Sequence, residues 1–388
     1  MTFSHWQRPH SFSLPGFSTD VLILGGGFVG LSTAWWLSEM DPSLKITVLD
    51  RRQVGEGASG RNAGFLTKGS AQFYRELNRL YGKEIALSIL NFSDTSIQLL
   101  HQNILRSSPE IKTEKSQSIT LLKKNQTSDA WKGDFSPEEF SFEWIDSPQL
   151  FPTLGTGFSG GYVNSIQEYK INPMQIIQSL KMSLEARKIQ IVENISGFEL
   201  TPEGCRTEVH TIKAKKIVLA LNGYLPQFHP SLKPFVTARR AQMLAVEFEG
   251  ELDSPYLHYD PADLVYWRKS ADNVLLIGGK RMLDVDNEVG DFDRLSAVIQ
   301  NSLEDYIRDT IGLKYKILHR WAGTMGFTGT DLPIIQEVQA PLTTYIVGGF
   351  SGHGMGMGFH AAKQTASLIT GEITESFFSG IKKESIQL

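Results

Sequence analysis

The stretch VLILGGGFVG at residues 21–30 decides the fold of this chain, together with KITVLD at residues 45–50. The first stretch is an apolar strand that runs into a glycine turn, and the second is an apolar strand that ends in an acid. The residues between them, which include Trp35 and Trp36, are predicted to form a helix. Strand, turn, helix and strand make one βαβ unit, which predicts an α/β fold with a parallel sheet.

The glycines of this turn have the spacing of a dinucleotide-binding motif. Gly25 permits the tight turn, Gly27 lets the backbone reach a pyrophosphate, and Gly30 allows helix and strand to pack closely. The helix that begins near Phe28 presents unpaired N–H groups, which favour an anion. Asp50 can accept hydrogen bonds from a ribose. An ordinary glycine-rich turn is the alternative, but it does not explain an acid at the expected distance, so the sequence predicts a bound dinucleotide.

Three later stretches are also rich in glycine or end in small residues, as the first motif does. Residues 51–64 (RRQVGEGASGRNAG) are too rich in glycine for a strand or helix, and residues 217–223 (IVLALNG) form an apolar strand that ends in small residues. Residues 345–358 (YIVGGFSGHGMGMG) run from a strand into a glycine loop, and an apolar helix follows. A mobile linker is the alternative for the last stretch. The glycines between a buried strand and an apolar helix instead favour a backbone that a flat ligand approaches.

Composition limits the class of protein. The 388 residues exceed the size at which one hydrophobic core usually keeps growing, so two domains are expected. Lys and Arg number 38 against 42 Asp and Glu, which leaves no overall field to hold nucleic acid or anionic lipid. No run of about 18 uncharged apolar residues occurs, so no membrane span is expected.

Cysteine usage and the N-terminus indicate a location. The single cysteine, Cys205, excludes an intrachain disulfide and a site built from a cysteine cluster, and no metal is expected. Residues 1–19 lack the apolar core of a secretion signal. Both observations fit a cytoplasmic protein.

The remaining segments differ from a nucleotide-binding domain. Apolar spacing predicts amphipathic helices over residues 71–105, and residues 235–249, 263–268 and 274–277 read as strands of a mostly antiparallel sheet. Asn172 and Pro173 predict a helix start, and a further helix is expected over 293–311. The predicted division is a nucleotide-binding domain of residues 1–70, 165–230 and 318–388, and a substrate-binding domain of residues 71–164 and 231–317.

Taken together, these motifs resemble the D-amino-acid oxidase and sarcosine oxidase superfamily of FAD-dependent amine oxidoreductases. The resemblance spans nearly the whole chain: GGGFVG at 25–30, GASGRNAG at 57–64, ALNG at 220–223, WAG at 321–323 and GFSGHG at 349–354. SGRNAG and the Trp-containing N-terminal leader resemble the gamma-glutamylputrescine oxidoreductase branch. The resemblance implies a discontinuous FAD-binding Rossmann-like domain with a substrate domain.

The resemblance also implies which residues hold FAD. The first glycines would bind the pyrophosphate, the acid the ribose, residues 59–63 the flavin, and the C-terminal glycine loop the pyrimidine end of its ring system. The expected contacts are Gly25, Gly27, Phe28, Gly30, Asp50, Arg51, Ser59, Arg61, Asn62, Ala63, Ile195, Ala220, Asn222, Gly223, Gly352, His353, Gly354, Met355 and Gly356. Covalent members of the family use a Cys or His; Cys205 lies in a turn and residues 57–64 contain no His, so noncovalent FAD is expected.

The implied reaction oxidises the C–N bond of an amine or amino acid to an imine. A hydride equivalent moves to the flavin, and oxygen or another acceptor then reoxidises it. The candidate catalytic residues are His353, Arg61 and Tyr266, although a hydrogen bond that fixes the loop would also explain His353. Burial of the substrate would lower its pKa, so no dedicated base is needed.

Departures from the family pattern bear on the substrate. Sarcosine oxidases place a Lys where Gly356 stands, and amino-acid oxidases place an Arg where residues 325–327 stand. Because a buried carboxylate needs a cation or several N–H donors, a small α-amino acid held by such a clamp is disfavoured, and a larger or secondary amine is favoured. Arg240 and Arg268 read as surface residues, and His258 as either a turn or a site residue.

Two other functions stay open at this stage. The chain could be the flavoprotein subunit of a larger complex or an amine oxidase of the tRNA-modification type. An NAD-dependent Rossmann dehydrogenase would explain the first motif only. Expected partners are a small amine and an electron acceptor, with a monomer or homodimer as the assembly.

Overall fold

The structure is a computed structural model, and it describes residues 17–126, 131, 135, 142–146, 157–208, 211–271, 273–338, 340–381, 386 and 388. The strands are β1 (Ser18–Leu24), β2 (Ile46–Leu49), β3 (Phe65–Leu66), β4 (Thr113–Ser116), β5 (Ser118–Lys123), β6 (Phe142–Asp146), β7 (Phe158–Asn164), β8 (Glu168–Ile171), β9 (Gln190–Val192), β10 (Glu199–Thr201), β11 (Gly204–Arg206), β12 (Thr211–Leu219), β13 (Thr237–Glu249), β14 (Leu257–Asp260), β15 (Val265–Ala271), β16 (Val274–Gly279), β17 (Lys314–Phe327), β18 (Ile334–Val338) and β19 (Thr344–Gly348). The α-helices are α1 (Phe28–Met40), α2 (Ala58–Arg61), α3 (Ala71–Tyr81), α4 (Lys83–Asn103), α5 (Pro173–Ala186), α6 (Leu225–Phe228), α7 (Ala297–Asp305) and α8 (Gly354–Thr370).

The first sheet brings strands from both ends of the chain together. Strands β19, β12, β1, β2 and β9 lie side by side and run parallel. The ends of β1 and β12 are in register, with Leu24 opposite Leu219. Because parallel strands point the same way, the loops that follow β1, β12 and β19 leave from one edge of the sheet. The predicted βαβ unit and parallel sheet are confirmed.

Helices α1 and α8 cover one face of this sheet and pack against each other. The indole Nε1 of Trp36 donates to the carbonyl oxygen of Phe359 at 3.1 Å, and the rings of Phe28 and Phe359 stack with centroids 6.4 Å apart. A Cβ on Gly358 would lie 3.1 Å from the Phe28 ring, so the glycine permits the close approach. The C-terminal glycine motif therefore lies beside the N-terminal one.

The second large sheet is mostly antiparallel and has two different faces. Its order is β17-β13-β16-β15-β14-β5-β7-β6, with only the β14–β5 pair parallel. One face, with Leu244, Val246 and Trp267, packs in a core with α7. The opposite face lies over residues 61–63, where Trp321 Nε1 donates to the Arg61 carbonyl oxygen at 2.8 Å. The predicted α/β class with a mostly antiparallel second sheet is confirmed.

The chain passes between the two large sheets several times, and one of these crossings follows β17. The predicted boundary at residue 318 falls inside this strand, which pairs with β13 from Glu249↔Lys314 to Thr237↔Phe327. Strand β17 is thus part of the second sheet, and the first sheet resumes at β18. Strands β3, β8 and β4 form a small sheet from three separate segments. The assignment of whole segments to two domains stays a prediction.

Local signals in the sequence explain several element ends. The predicted helical stretch from residue 71 is divided into α3 and α4 at Gly82, which has φ +81°. Asn172 accepts from the backbone N–H of Met174 and caps α5, as predicted. The helix expected from residue 293 begins only at Ala297, and Tyr306–Ile311 continues it as a π-helical turn.

The segment before α7 is instead anchored by a buried ion pair. Arg240 is 2% exposed and Glu288 is 1% exposed, and their Nη2 and Oε1 atoms are 2.8 Å apart. Gln242 Nε2 donates to the same carboxylate oxygen at 2.9 Å. The expectation that Arg240 lies on the surface is wrong, because the alternation of β13 turns its side chain toward residues 284–296. The ion pair fixes this segment beside the N-terminal half of β13, where the Arg240 N–H donates to the Glu288 carbonyl oxygen at 2.8 Å.

Replacing Arg240 by Met is expected to destabilise the fold by about 3–5 kcal/mol, because Glu288 would keep a buried charge without its cation. The free energy of unfolding in urea measures the loss. The double variant R240M/E288L removes both charges and should recover much of it, whereas R308M, at an exposed ion pair, should change it little. A single variant as stable as the parent would contradict this account of the ion pair.

Candidate active site

The turn after β1 has the tight geometry of a phosphate-binding turn. Gly25 has φ +109°, and a Cβ there would lie 2.5 Å from the Ala220 carbonyl oxygen. A Cβ on Gly30 would overlap the carbonyl oxygen of Gly25. A Cβ on Gly27 would meet the hydroxyl of Ser59 at 2.9 Å. Side chains are thus excluded from three places where backbone, helix start and second loop converge.

Asp50 lies at the end of β2, beside this turn. One carboxylate oxygen accepts from the N–H of Gly26 at 2.6 Å, and the other accepts from the N–H of Arg52 at 2.8 Å. Burial raises the pKa of Asp50, while these N–H groups and nearby arginines oppose the rise. Ile195, which follows β9, donates its N–H to the Asp50 carbonyl oxygen at 3.0 Å. It therefore lies beside Asp50, where the adenine is expected. The Arg51 guanidinium lies 5.0 Å from the Tyr224 ring centroid.

The second glycine loop, residues 57–64, is held by α1 on one side and by the second large sheet on the other. The N–H of Phe28, the first residue of α1, donates to Ser59 Oγ at 2.8 Å. Asn62 donates from Nδ2 to the Ser59 carbonyl oxygen at 2.7 Å and accepts at Oδ1 from the N–H of Gly64 at 2.8 Å. The carbonyl oxygen of Ala63 accepts from Arg268 Nε at 2.6 Å. The loop therefore bridges the helix start and the second sheet.

Asn222 joins the end of β12 to the end of β19. Its Oδ1 accepts from the N–H of Gly349 at 3.0 Å, and its backbone has φ +45°. A Cβ on the neighbouring Gly223 would lie 2.7 Å from the Met325 carbonyl oxygen, so β17 also approaches here. The predicted cofactor residues Ala220, Asn222 and Gly223 thus lie between the first and last glycine loops.

The C-terminal loop turns sharply into α8. Gly352 has φ +93°, and α8 begins at Gly354 with His353 at its N-cap. A Cβ on Gly356 would overlap the Thr67 carbonyl oxygen, and Met355 packs at the margin of the main core. The start of α8 is therefore pressed against the chain that follows the second loop.

His353 is half-buried, and its ring lies against an apolar neighbour. Its ring stacks on Phe73 with centroids 3.7 Å apart, and burial lowers its pKa to about 4. Its Nδ1 is buried and has no hydrogen-bond partner among the residues that the structure describes. The imidazole is therefore neutral near pH 7, and its free ring nitrogen is a polar atom that fits a ligand at this loop.

The two other predicted catalytic residues occupy different surroundings. Arg61 donates from Nε to the Glu56 carbonyl oxygen at 2.7 Å and from Nη1 to the Ala322 carbonyl oxygen at 2.9 Å. Its guanidinium thus ties the second loop to β17, and a catalytic role for it stays a prediction. Tyr266 lies on the sheet face that looks toward the loops, with its ring 6.1 Å from that of Phe65. Burial raises its pKa to about 12, so its hydroxyl stays protonated.

Sequence reasoning missed two arginines on that face. Arg239 precedes the buried Arg240 on β13 and therefore points to the opposite side of the sheet. The Cζ atoms of Arg239 and Arg281 lie 5.7 Å and 4.3 Å from the centroid of the Phe327 ring. The period of two along β13 was the available signal, because it separates two adjacent arginines onto different faces.

Two expectations about buried side chains are wrong. Arg268 is 5% exposed rather than on the surface, and its Nη2 donates to the Ile171 carbonyl oxygen at 2.9 Å. His258 lies on the core face of its strand, where its ring stacks on Trp267 with centroids 3.4 Å apart. His258 therefore faces away from the glycine loops, whereas Arg268 lies on the loop-facing side of β15 and holds the backbone of Ala63.

The site fits FAD. It offers the start of α1, whose N-cap Gly27 has no side chain, a glycine cradle, an acid at the end of β2 and a second helix start at α8. Over the described part of the chain, no three His, Cys, Asp or Glu side chains group as a metal site requires. Nor does any described helix combine the length and apolar character needed to cross a membrane. Cys205 is buried in β11, within the core of the first sheet.

Fold and site together define a flavoprotein oxidoreductase in which a parallel dinucleotide-binding sheet is joined to an antiparallel one. The chain belongs to the FAD dependent oxidoreductase family, whose model matches residues 20–368. It uses FAD and is an oxidoreductase enzyme, as the sequence predicted. The predicted D-amino-acid oxidase superfamily is confirmed by the same match.

Similar proteins cover nearly all of the chain. The probable oxidoreductase OrdL of Rhizobium meliloti is 26% identical over 95% of this chain and 87% of its own length. Gamma-glutamylputrescine oxidoreductase of Escherichia coli is 23% identical over 91% of this chain and 84% of its own. The crystal structure of iminodiacetate oxidase from Chelativorans sp. BNC1 has a TM-score of 0.73 and 17% identity, over 95% of this chain and 99% of that one.

Replacing Gly30 by Ala is expected to abolish FAD binding, because the added methyl group would overlap the Gly25 carbonyl oxygen and force the turn apart. The ratio of flavin to protein absorbance in the purified protein measures the effect. Gly329→Ala is the control, since a Cβ there has open space. A folded Gly30→Ala protein with a full complement of FAD would show that the close packing is not required.

The pKa of His353 predicts an acid-dependent loss of stability. Because burial lowers this pKa from 6.5 to about 4, the unfolded chain binds a proton between these values that the folded chain does not. Stability should therefore fall as the pH drops through this window. The variant His353→Phe retains the stack on Phe73 and should lose less stability, by up to roughly 3 kcal/mol.

Urea unfolding of the FAD-loaded protein between about pH 7 and about pH 4.5 measures this difference. The exposed His319→Gln is the control and should follow the parent protein. Equal pH dependence in the parent and in His353→Phe would contradict the buried neutral imidazole.

Proposed function

We propose that the protein oxidises the C–N bond of an amine or amino acid to an imine. When bound, FAD supplies the acceptor for a hydride equivalent from the carbon that bears nitrogen. The observation that carries the proposal is the position of the second sheet, whose face with Tyr266, Met243 and Phe327 lies over the convergent glycine loops. A substrate between this face and the flavin would be oriented for transfer.

The walls of this pocket suit an amine that reacts as the neutral base. An alkylammonium resembles Lys, with a pKa of about 10.4, and must lose a proton before its nitrogen lone pair can assist the reaction. Phe65, Tyr266 and Phe327 would desolvate the ammonium and lower its pKa. Burial raises the pKa of both Tyr259 and Tyr266, so their hydroxyls act as hydrogen-bonding groups rather than as bases.

The remaining predicted residues have positioning roles in this proposal. The N–H groups at the start of α8, from Gly354 to Gly356, would donate to the ring system where negative charge develops during the reaction. His353 stays neutral and would offer its free ring nitrogen to the same region. Arg61 holds the second loop against β17 and so sets the distance between the loop and the substrate face.

Known proteins support the choice of substrate class. Gamma-glutamylputrescine oxidoreductase and iminodiacetate oxidase are named for compounds that contain C–N bonds, and both align with most of this chain. The electron acceptor is oxygen or another oxidant in this proposal.

Anaerobic mixing of the purified flavoprotein with polyamines, N-methyl amino acids and D-amino acids tests the reaction. We expect the visible flavin absorbance to disappear with at least one of these compounds. Admission of air then distinguishes an oxidase, which recovers its colour and forms peroxide, from a dehydrogenase. Reduction by an alcohol substrate and by none of the amines or amino acids would overturn the proposal.

A further inference from the structure

We infer that Glu168 is a positioning residue for the cofactor site, because its carboxylate holds the turn against which the start of α8 packs. This turn, the β3–α3 turn, consists of residues 67–70 and joins β3 to α3. The inference rests on the predicted place of the α8 start beside the flavin, and not on the proposed oxidation of an amine.

The carboxylate of Glu168 is buried and accepts hydrogen bonds from three separate segments. Its Oε1 accepts from the backbone N–H of Lys68 at 3.0 Å and from Nδ2 of Asn164 at 3.0 Å. Its Oε2 accepts from the backbone N–H of Ser118 at 2.5 Å. Lys68 lies in the β3–α3 turn, Asn164 ends β7 and Ser118 begins β5. One side chain of the small sheet therefore ties this turn to the second large sheet.

The same peptide unit that donates to Glu168 also contacts α8. A Cβ on Gly356, in the first turn of α8, would overlap the carbonyl oxygen of Thr67. This carbonyl and the N–H of Lys68 belong to one peptide unit, which is planar and rigid. A shift of the N–H relative to Glu168 therefore moves the carbonyl oxygen relative to the start of α8.

The β3–α3 turn reaches the start of α8 by a second route as well. Ser70 Oγ accepts from the N–H of Phe73 at 3.1 Å and caps α3. The N–H of Ala71 donates to Thr120 Oγ1 on β5 at 3.1 Å. The ring of Phe73 then stacks on that of His353, the N-cap residue of α8. The turn thus sets the position of both neighbours of the α8 start, the Thr67 carbonyl and the Phe73 ring.

Glu168 gains a proton in the range of neutral pH. Burial raises its pKa to about 7, while hydrogen bonds from Ser118 and from the N–H of Lys68 oppose the rise. An ionised carboxylate only accepts hydrogen bonds, whereas the protonated acid uses one oxygen as an O–H donor. The carboxyl group therefore holds its three donors less firmly below about pH 7 than above it.

The charged groups of the neighbouring elements leave Lys68 as the cation that acts on this carboxylate. The Lys68 ammonium favours the ionised form of Glu168. Burial lowers the pKa of Lys68, while Asp94 on α4 and Glu168 itself oppose this.

The other neighbours are bound elsewhere or neutral. Lys170, further along β8, is paired with Glu114 on β4, with Nζ and Oε1 2.8 Å apart. Arg268 on β15 donates to the carbonyl oxygens of Ala63 and Ile171. Burial holds the pKa of His258 on β14 well below its usual range, so its ring is neutral near pH 7.

The visible spectrum of the FAD-loaded protein tests the coupling to the cofactor, because hydrogen bonds to the ring system tune the flavin. Spectra are recorded between about pH 5.5 and about pH 8.5. We expect a spectral transition in the parent with a midpoint at about pH 7. Glu168→Gln is neutral at every pH and should keep the low-pH spectrum of the parent throughout. His353 does not interfere, since burial lowers its pKa to about 4.

Hydrogen exchange of backbone amides, followed by mass spectrometry, tests the position of the turn without use of the flavin. Rates are corrected for the intrinsic effect of pH on exchange. Protection of the Lys68 amide should fall about 10- to 100-fold in the parent as the pH drops through this range, because a hydrogen bond to a charged acceptor is weakened. Glu168→Gln should show the lower protection at every pH. Glu199→Gln, at the exposed β10–β11 hairpin, is the control and should follow the parent.

Each result supports or overturns the inference. A spectral transition near pH 7 that persists in Glu168→Gln, or no transition in the parent, overturns the coupling of Glu168 to the flavin. Unchanged protection of the Lys68 amide in the parent overturns the hold on the turn, even where the variant fails to fold. Neither measurement requires a substrate, so failure of the proposed amine oxidation and failure of this inference are observed separately.

Discussion

The structure depends on the close approach of three backbone segments, those that follow β1, β12 and β19, at one edge of the parallel sheet. The Ala220 carbonyl oxygen lies directly beneath Gly25, and the side chain of Asn222 receives the N–H of Gly349. These contacts bind the ends of β1, β12 and β19, which are far apart in the chain, into one rim. Every other part of the site is positioned by this rim, because the second loop is fixed to α1 and the second sheet is fixed to the second loop.

The two faces of β13 in the second sheet have different roles. On β13, Arg240 turns to a buried carboxylate that anchors residues 284–296, and Arg239 turns to the pocket. The strand period of two is sufficient to separate a cation in a buried ion pair from one that lies over the Phe327 ring on the other face. Adjacent residues of the same type therefore have different roles here, and residue type alone does not reveal which is which.

Features that depend on residues close together in the sequence could be predicted, and features that depend on distant residues could not. The βαβ unit, the loop at 349–354 and the cap at Asn172 depend on short-range patterns, and the sequence revealed them. The expectation that residues 51–64 contain no helix is wrong, because Ala58–Arg61 form the single turn α2. The burial of Arg240 depends on Glu288, a partner 48 positions away, and the sequence held no local signal for it. The residue roles at the flavin stay predictions, because they require the ligand itself.

Phe327 explains how the fold tolerates the guanidinium groups of Arg239 and Arg281 on the loop-facing side of the second sheet. A buried guanidinium without a partner is unfavourable, but the aromatic face of Phe327 offers each cation a weak electrostatic contact. Such a contact offsets part of the desolvation without occupying the N–H donors. The guanidinium groups of Arg239 and Arg281 are therefore held by an aromatic ring, whereas that of Arg240 is held by a carboxylate on the other face of the same sheet.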